Sequence, residues 1–483
     1  MYKPTIGLEI HIQLMTNTKI FCGCSTELVR VPNTNVCPVC LGLPGALPAL
    51  NEKVVEYGVK LGIALNAYIN RFSSFYRKNY FYPDLPKGYQ ITQYAIPVAK
   101  GGYLEIGIGH QKKKIRIEKA HIEEDSGKSI HMGDITESEL SLIDFNRSGI
   151  PLIEIVTLPD IETAEEAYDF LTLLRSYVRY LGVSTGDMEK GALRCDVNIS
   201  VSKDELRGTK VEIKNLNSFR SVKRALEYEI ERQTKALERG DRIVQETRHF
   251  DEKEEVTKPM RTKEELNDYR YFPEPDLPPL ILSDEYIENI KKEIPELPNA
   301  KEERFIKEFG ISNEYARAIA YNPKLAEYFE NIVNFAKKPK DISNFLMVNI
   351  TAFLNETSKE INEIDFTKEY FKELLDLIDG KIISLNIAKE VLDESLHTGK
   401  SPSEIVAQKG LTQIADKESI KEFVMEVLKE NKEQVNQYLS GKTKVMGFLV
   451  GQAMKKSKGK ANPEIVNRIL QTELENLRKQ EEE

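Results

Sequence analysis

Near its N-terminus the chain reads Gly7-Leu8-Glu9-Ile10-His11-Ile12-Gln13-Leu14, with apolar and polar residues in strict alternation. Successive side chains of a β-strand point to opposite faces, so this period predicts a strand with one buried face. Leu8, Ile10, Ile12 and Leu14 enter a core. Glu9, His11 and Gln13 share the other face, which is either a solvated sheet surface or a small polar site on a rigid element.

Three further segments carry the same pattern. Residues 115–125, Ile-Arg-Ile-Glu-Lys-Ala-His-Ile-Glu-Glu-Asp, begin as a strand and end in His121, Glu123, Glu124 and Asp125. Successive carboxylates repel, so these face solvent or hold a cation. In 193–201, Leu193, Cys195, Val197, Ile199 and Val201 alternate with Arg194, Asp196, Asn198 and Ser200. In 210–214, Val211 and Ile213 alternate with Lys210, Glu212 and Lys214. A loop through Gly208 joins the last two as a hairpin. Cys195 falls on the apolar face and reads as an inert core thiol. Between the strands, Ala164, Ala167, Tyr168, Leu171, Leu174, Val178 and Leu181 recur at helical spacing, opened by a Thr163/Glu166 capping box. A second helix is expected from about Phe219 to Leu237, with Val222, Leu226 and Ile230 on its core stripe.

Cys22-Gly23-Cys24 and Cys37-Pro38-Val39-Cys40 give C-x-C, twelve residues, then C-x-x-C. Four thiolates from two tight turns can close a tetrahedral shell around zinc, and such a shell leaves no position open for catalysis. The alternative is four unrelated thiols. Ser126-Gly127-Lys128-Ser129 suggests a phosphate-binding loop, but that motif needs glycine where this chain has Ile122. Gly399-Lys400-Ser401 and Gly441-Lys442-Thr443 fail in the same way, at Glu394 and Asn436.

Two stretches combine aromatics, prolines and charges. Arg77–Gln90 reads as a loop through Pro83, Pro86 and Gly88, and its rings either pack on the core or stack on a base. Met260–Leu280 includes Arg261-Thr262-Lys263 and has four prolines between 273 and 279, which forbid a helix there. Beyond Pro295 the chain is helix-forming, with a break near 397–403. Residues 441–460 hold six lysines and no acid, a patch suited to phosphates unless it is only a solvated face.

The whole chain has 483 residues, 30% charged and 40% hydrophobic, enough for two to four domains. A net charge of -9 argues against a general nucleic-acid binder but leaves room for a local basic patch. No apolar run reaches the ~18 residues of a membrane span. Met1-Tyr2-Lys3-Pro4-Thr5 leads straight into the first strand, so no signal peptide is expected and the expected compartment is the cytoplasm.

Gly7–Leu14, Arg77–Gln90, His121–Ser129, Leu193–Ser200, Lys214–Ser218, Met260–Leu280 and Val445–Pro463 together resemble the B-subunit family of the tRNA-dependent amidotransferases, GatB of GatCAB. Asp268–Asp276 and Met446–Gln452 are the most specific segments. The resemblance implies an α+β fold: an antiparallel-sheet cradle domain over 1–294, an all-α helical domain over 295–403, and a small all-α tail over 404–483 that binds tRNA. It implies an ATP-dependent carbon–nitrogen ligase with glutamine as amido donor. The side-chain carboxylate of Glu-tRNA(Gln), and of Asp-tRNA(Asn), is activated with ATP and Mg²⁺. Ammonia released by an amidase A subunit then attacks the acyl phosphate, and a small C subunit completes the heterotrimer. Zinc is implied to be an optional structural feature of the family.

Phosphoryl transfer needs oxygen ligands for Mg²⁺ and cations for phosphates. Glu9, Glu123, Glu124, Asp196 and Glu212 are the available carboxylates on strand faces, and His11 is a ligand or a general base. Glu9, His11 and Glu124 are the expected Mg²⁺ ligands, and Lys78 and Arg194 the expected phosphate partners. Cys22, Cys24, Cys37 and Cys40 are the expected zinc ligands. The competing reading is a non-catalytic, zinc-containing tRNA-binding adaptor, which needs the lysines and aromatic loops but not the carboxylate faces. A stand-alone glutamine amidase is disfavoured, because Cys195 is the one cysteine outside the cluster and no Gly/Ser-rich amidase signature is present.

Overall fold

The octet from Gly7, all but its last residue Leu14, lies in β1 (Lys3–Gln13) of the computed structural model. Ile6, Leu8, Ile10 and Ile12 are buried there, alternating with half-buried Gly7, Glu9, His11 and Gln13. The structure describes residues 2–27, 29–107, 112–131, 140–203, 207–260, 268–411, 417–457, 461 and 463–482. Arg261, Thr262, Lys263, Lys458 and Lys460, singled out above, lie outside the described residues. The chain is α+β and divides into two units, Met1–Lys301 and Glu302–Glu483.

The first unit is built on strands that follow β1 in this order: β2 (Tyr68–Ile69), β3 (Phe72–Ser73), β4 (Tyr76–Asn79), β5 (Tyr89–Thr92), β6 (Ala99–Lys100), β7 (Tyr103–Ile106) and β8 (Lys113–Glu124). Then come β9 (Lys128–His131), β10 (Ser141–Asp144), β11 (Pro151–Thr157), β12 (Leu193–Ser202), β13 (Val211–Lys214), β14 (Glu246–Asp251), β15 (Val256–Pro259), β16 (Phe272–Pro273) and β17 (Leu280–Ile281). The main sheet runs β15-β14-β13-β12-β1-β11-β8-β5-β4-β16. β1 is therefore central, antiparallel to both β11 and β12. The β12–β13 hairpin forms as expected, with Val197 opposite Ile213.

The sheet is mixed rather than purely antiparallel, because β13 and β14 run parallel. A parallel neighbour requires a crossover, and the 20-residue helix Phe219–Glu238 supplies it. Arg77–Gln90 is likewise not all loop: its ends are β4 and β5, paired antiparallel from Tyr76/Thr92 to Asn79/Tyr89.

Helices α1 (Glu52–Ala64), α2 (Ala164–Tyr180) and α3 (Phe219–Glu238) cover the apolar side of the unit, packing against β8, β7 and β12 respectively. Thr163 caps α2 by accepting from Glu166 N, but the Glu166 carboxylate accepts from Glu162 N instead of the cap residue. On α3 the buried stripe continues through Glu229 and Gln233, while Ile230 is only partly buried. The Glu229 carboxylate accepts from Arg232, Gln233 and Thr257, so its burial is compensated.

The second unit is helical among its described residues. The break near 397–403 lies between helices Leu385–Thr398 and Pro402–Lys409, where Gly399 takes φ 70° and Pro402 starts the next helix. Farther along, Ile420, Val424, Val427, Leu449, Val466, Leu470 and Leu474 form a separate apolar core.

Helix α1 approaches the sheet through glycines. A Cβ on Gly62 would lie 2.6 Å from Ile69 Cδ1 and 2.7 Å from Ala99 Cβ. Alanine improves helix propensity by about 1 kcal/mol, whereas overpacking costs about 1–3 kcal/mol and the Ala99 methyl cannot turn away. Gly62→Ala should thus lower the stability of the first unit by up to about 2 kcal/mol in a denaturant titration; a stabilised variant would refute the close packing.

Candidate active site on the open face of the sheet

Directly paired residues of an antiparallel ladder share a face, and register therefore decides which polar groups meet. His11 lies opposite Glu154 on β11 and Arg194 on β12, and Glu154 lies opposite His121 on β8. Glu9 faces Asp196, and Asn198 faces Glu212. Glu123 pairs with Leu152 on one side and Thr92 on the other. These positions all belong to one face, opposite the helices.

Its centre is tight. His11 Nε2 lies 3.3 Å from Glu123 Oε1 and 3.4 Å from Glu154 Oε2. His121 Nε2 lies 3.4 Å from the same Glu154 oxygen and 3.7 Å from Glu123 Oε2. One ligand atom each from His11, Glu123 and Glu154 fall within 4.8 Å of one another, a group able to hold a metal ion. Burial opposes the His11 charge, but Glu123 and Glu154 outweigh it and raise the imidazole to about 10. Burial likewise opposes ionisation of Glu123 and Glu154, yet the two imidazoles hold Glu123, and above all His11 holds Glu154, below the ordinary carboxylate range. A proton on His11 thus supplies the positive charge that the buried Glu123 and the half-buried Glu154 require. A dication would supply it as well. Thr92 Oγ1 and His121 Nδ1, buried beside the trio, have no hydrogen-bond partner among the described residues, as befits a site that receives other polar atoms.

Around this centre the other expected residues are already paired. Glu9 Oε1 accepts from Asn198 Nδ2 at 3.0 Å. Asp196 and Glu212 share the Lys214 ammonium, at 2.6 and 3.1 Å. Arg194 is bound to Asp125 at 2.6 Å. Lys78 lies over the rings of Tyr269 and Tyr80, 5.0 and 5.8 Å from their centroids. Glu124 does not join the centre. Being one residue from Glu123 on a strand, it points to the opposite face, where Lys87 and the Ile91 N–H bind its Oε1. Glu154, which sequence reasoning missed, takes the ligand position expected of Glu124. Its signal was a lone carboxylate in the otherwise apolar run Pro151–Val156, which can be buried only with a partner.

Cys22, Cys24, Cys37 and Cys40 bring four sulfurs within 4.8 Å of one another, a second group able to hold a metal ion. The Cys37 and Cys40 sulfurs are 3.9 Å apart. Fully buried Lys19, also unforeseen, places its ammonium 3.8 Å from Cys40 Sγ. Hydrogen bonding from Cys22 and the Cys37 N–H, with the Lys19 charge, holds Cys40 as a thiolate, down to about 5. Burial pushes Cys24 up to about 11, and the bond to Cys40 pushes Cys22 higher still. Asn33 and Asn35 tie this loop to Ile143, Asp144 and Asn146, just ahead of β11. The cluster therefore braces the strand that carries Glu154.

The profile of the GatB/GatE catalytic domain matches residues 4–288, and that of the GatB domain matches residues 327–474. The chain is 54% identical over 478 residues to the B subunit of the aspartyl/glutamyl-tRNA(Asn/Gln) amidotransferase of Thermotoga maritima, covering 98% of this chain and 99% of that one. The chain belongs to the GatB family. Proteins of the same name from Thermoanaerobacter sp. and Thermodesulfovibrio yellowstonii are 53% and 52% identical, with 98% and 97% of this chain covered and 99% and 98% of theirs. In this GatB-family chain no described helix is long and apolar enough to cross a membrane.

Since His11 is protonated up to about pH 10 when the trio is bare, a cation bound there must displace that proton. Divalent-ion affinity should rise with pH between 7 and 9, by up to about tenfold per unit, as measured by calorimetric titration with proton release. An affinity independent of pH would mean that the ion does not touch His11.

Proposed function

We propose that this chain is the B subunit of an aspartyl/glutamyl-tRNA(Asn/Gln) amidotransferase and performs its ATP-dependent amidation on the open sheet face. The observation that carries the reading is the His11–Glu123–Glu154 trio, within 4.8 Å, in a chain 54% identical almost end to end to a curated B subunit. His11, Glu123 and Glu154 would hold Mg²⁺, which would offset the negative charge of the ATP phosphates. Lys78 offers a further cation to phosphates, and Arg194 does so by sharing Asp125. The γ-phosphoryl group passes to the side-chain carboxylate of the charged tRNA, forming an acyl phosphate. Ammonia supplied by the A subunit displaces that phosphate. Glu9, oriented by Asn198, and Asp196, paired to Lys214, stand opposite each other on adjacent strands and accept the protons released as the amide forms. An adaptor that only binds tRNA has no need of buried carboxylates gathered around an imidazole.

The four cysteines suit structural zinc: a tetrahedral shell with Zn–S of about 2.3 Å spaces sulfurs by just under 4 Å, close to the 3.9 Å of Cys37 and Cys40. The segment from 404 onward is assigned to the tRNA body. Lys442, Lys444 and Lys455 are exposed there, whereas Lys456 is engaged by Glu426 and Glu430. The A and C subunits are the partners of the proposed complex. ATP and tRNA as substrates fit a cytoplasmic enzyme.

In the assembled complex, His11→Ala should reduce amide formation on charged tRNA by more than about a hundredfold, at the scale of a lost acid–base or ligand group. Glutamine hydrolysis by the partner subunit should persist. Unchanged amidation would overturn the assignment of the site. Metal analysis of the purified complex should find one zinc per chain, and the Cys37→Ser/Cys40→Ser variant should lose it; a zinc-free wild-type protein would refute the knuckle.

A further inference from the structure

Five tyrosines line up along the β4–β5 hairpin and the segment that crosses it. Tyr80 meets Tyr269 edge-on at 5.9 Å, and Tyr269 meets Tyr271 at 6.0 Å. Tyr271 stacks on Tyr94 at 3.9 Å with an interplanar angle of 9°, and Tyr94 meets Tyr76 at 5.9 Å. The other four rings are half-buried, but Tyr94 is 52% exposed. Phe81 and Tyr82, 85% and 61% exposed, continue the aromatic surface at the hairpin tip. So many large rings left in water at one place are unusual for a surface without a partner.

Two further observations say what covers them. The first is position. Tyr76 lies opposite Thr92, and Thr92 lies opposite Glu123 of the central trio. Two strand spacings of about 4.8 Å put the Tyr76 backbone about 10 Å from that of Glu123, on the same face. The second is charge. Lys78 lies over the Tyr269 and Tyr80 rings, and no carboxylate among the described residues is within ion-pair reach of it. Flat rings with a bare ammonium beside them are the chemistry that binds unpaired nucleotides: bases stack, and phosphates meet the cation.

We infer that the Tyr94–Tyr271 stack is the seat of the unpaired 3′ end of the acylated tRNA, with the terminal purine on the free face of Tyr94. This rests on the functional reading above and names the contact by which the substrate is aimed at His11, Glu123 and Glu154. ATP also offers a purine. A single mononucleotide, however, needs one ring, whereas the row continues over five tyrosines to the hairpin tip, a length suited to successive bases of a strand. Tyr94 is thus a positioning residue: it fixes the base, and the ester on the adjoining ribose then extends toward the trio.

The test uses the assembled complex and two tRNAs, one intact and one lacking its terminal adenosine. Wild type should bind the shortened tRNA about tenfold more weakly, the scale of one base stacked on an aromatic ring. Tyr94→Ala should bind intact tRNA about tenfold more weakly and be indifferent to the missing nucleotide. Tyr94→Phe, which keeps the ring, should behave as wild type, and ATP affinity should be the same in all three proteins. Because Tyr94 is half exposed, its truncation leaves the fold intact, and unchanged ATP affinity confirms this. If Tyr94→Ala discriminates the two tRNAs as wild type does, or loses ATP instead of tRNA, the inference fails. Failure of the wild-type complex to amidate charged tRNA would overturn the functional reading instead, and is read in a separate assay.

Discussion

Glu123, buried, and Glu154, half-buried, meet one imidazole on the open sheet face, and two carboxylates so close demand a positive charge. With no ion present, His11 answers by holding its proton to about pH 10. That arrangement is costly to build, since each buried charge is tolerable only while its partner stays in place. Three adjacent strands, β1, β11 and β8, must keep their register for the charges to meet, because a slip of one residue would turn every side chain to the helix side. Much of the first unit serves that register. Helix α1 is drawn close by Gly58 and Gly62, and the cysteine loop is bound to the chain entering β11.

The two metal-competent groups differ in what they leave open. With the zinc proposed above, four sulfurs would close a shell and exclude substrate, so the cysteine cluster would act on the trio only through the backbone that it braces. Lys19 gives that cluster a buried counter-charge, and its other hydrogen bond, to Asn35 O, joins the same loop. The ligand atoms of His11, Glu123 and Glu154 lie together on the sheet face that also carries Lys78, Arg194, Asp196 and Lys214. Under the proposed function, chemistry belongs to the trio and rigidity to the cluster.

Period-two alternation was legible in the sequence because it is a local property: Glu9, His11, Arg194, Asp196 and Glu212 were placed on strand faces correctly from spacing alone. Pairing between strands is not local. Nothing in 115–125 by itself says which of Glu123 and Glu124 faces His11, although adjacency on a strand does say that both cannot. Glu154 lay in a run that reads as core, and only the register across from His11 reveals its role. The parallel β13–β14 pair and the buried Glu229 were hidden for a similar reason. Each depends on residues brought together by a helix 20 residues long, and propensity carries no information about such partners.

Anomalous diffraction from crystals soaked in Mn²⁺, a stand-in for Mg²⁺ at oxygen-rich sites, would locate the cation without relying on activity. The account predicts one strong peak at coordination distance from His11 Nε2 and from one oxygen each of Glu123 and Glu154, with none at Glu124. A peak at Glu124, or at the Glu9–Asp196 pair with the trio empty, would contradict it.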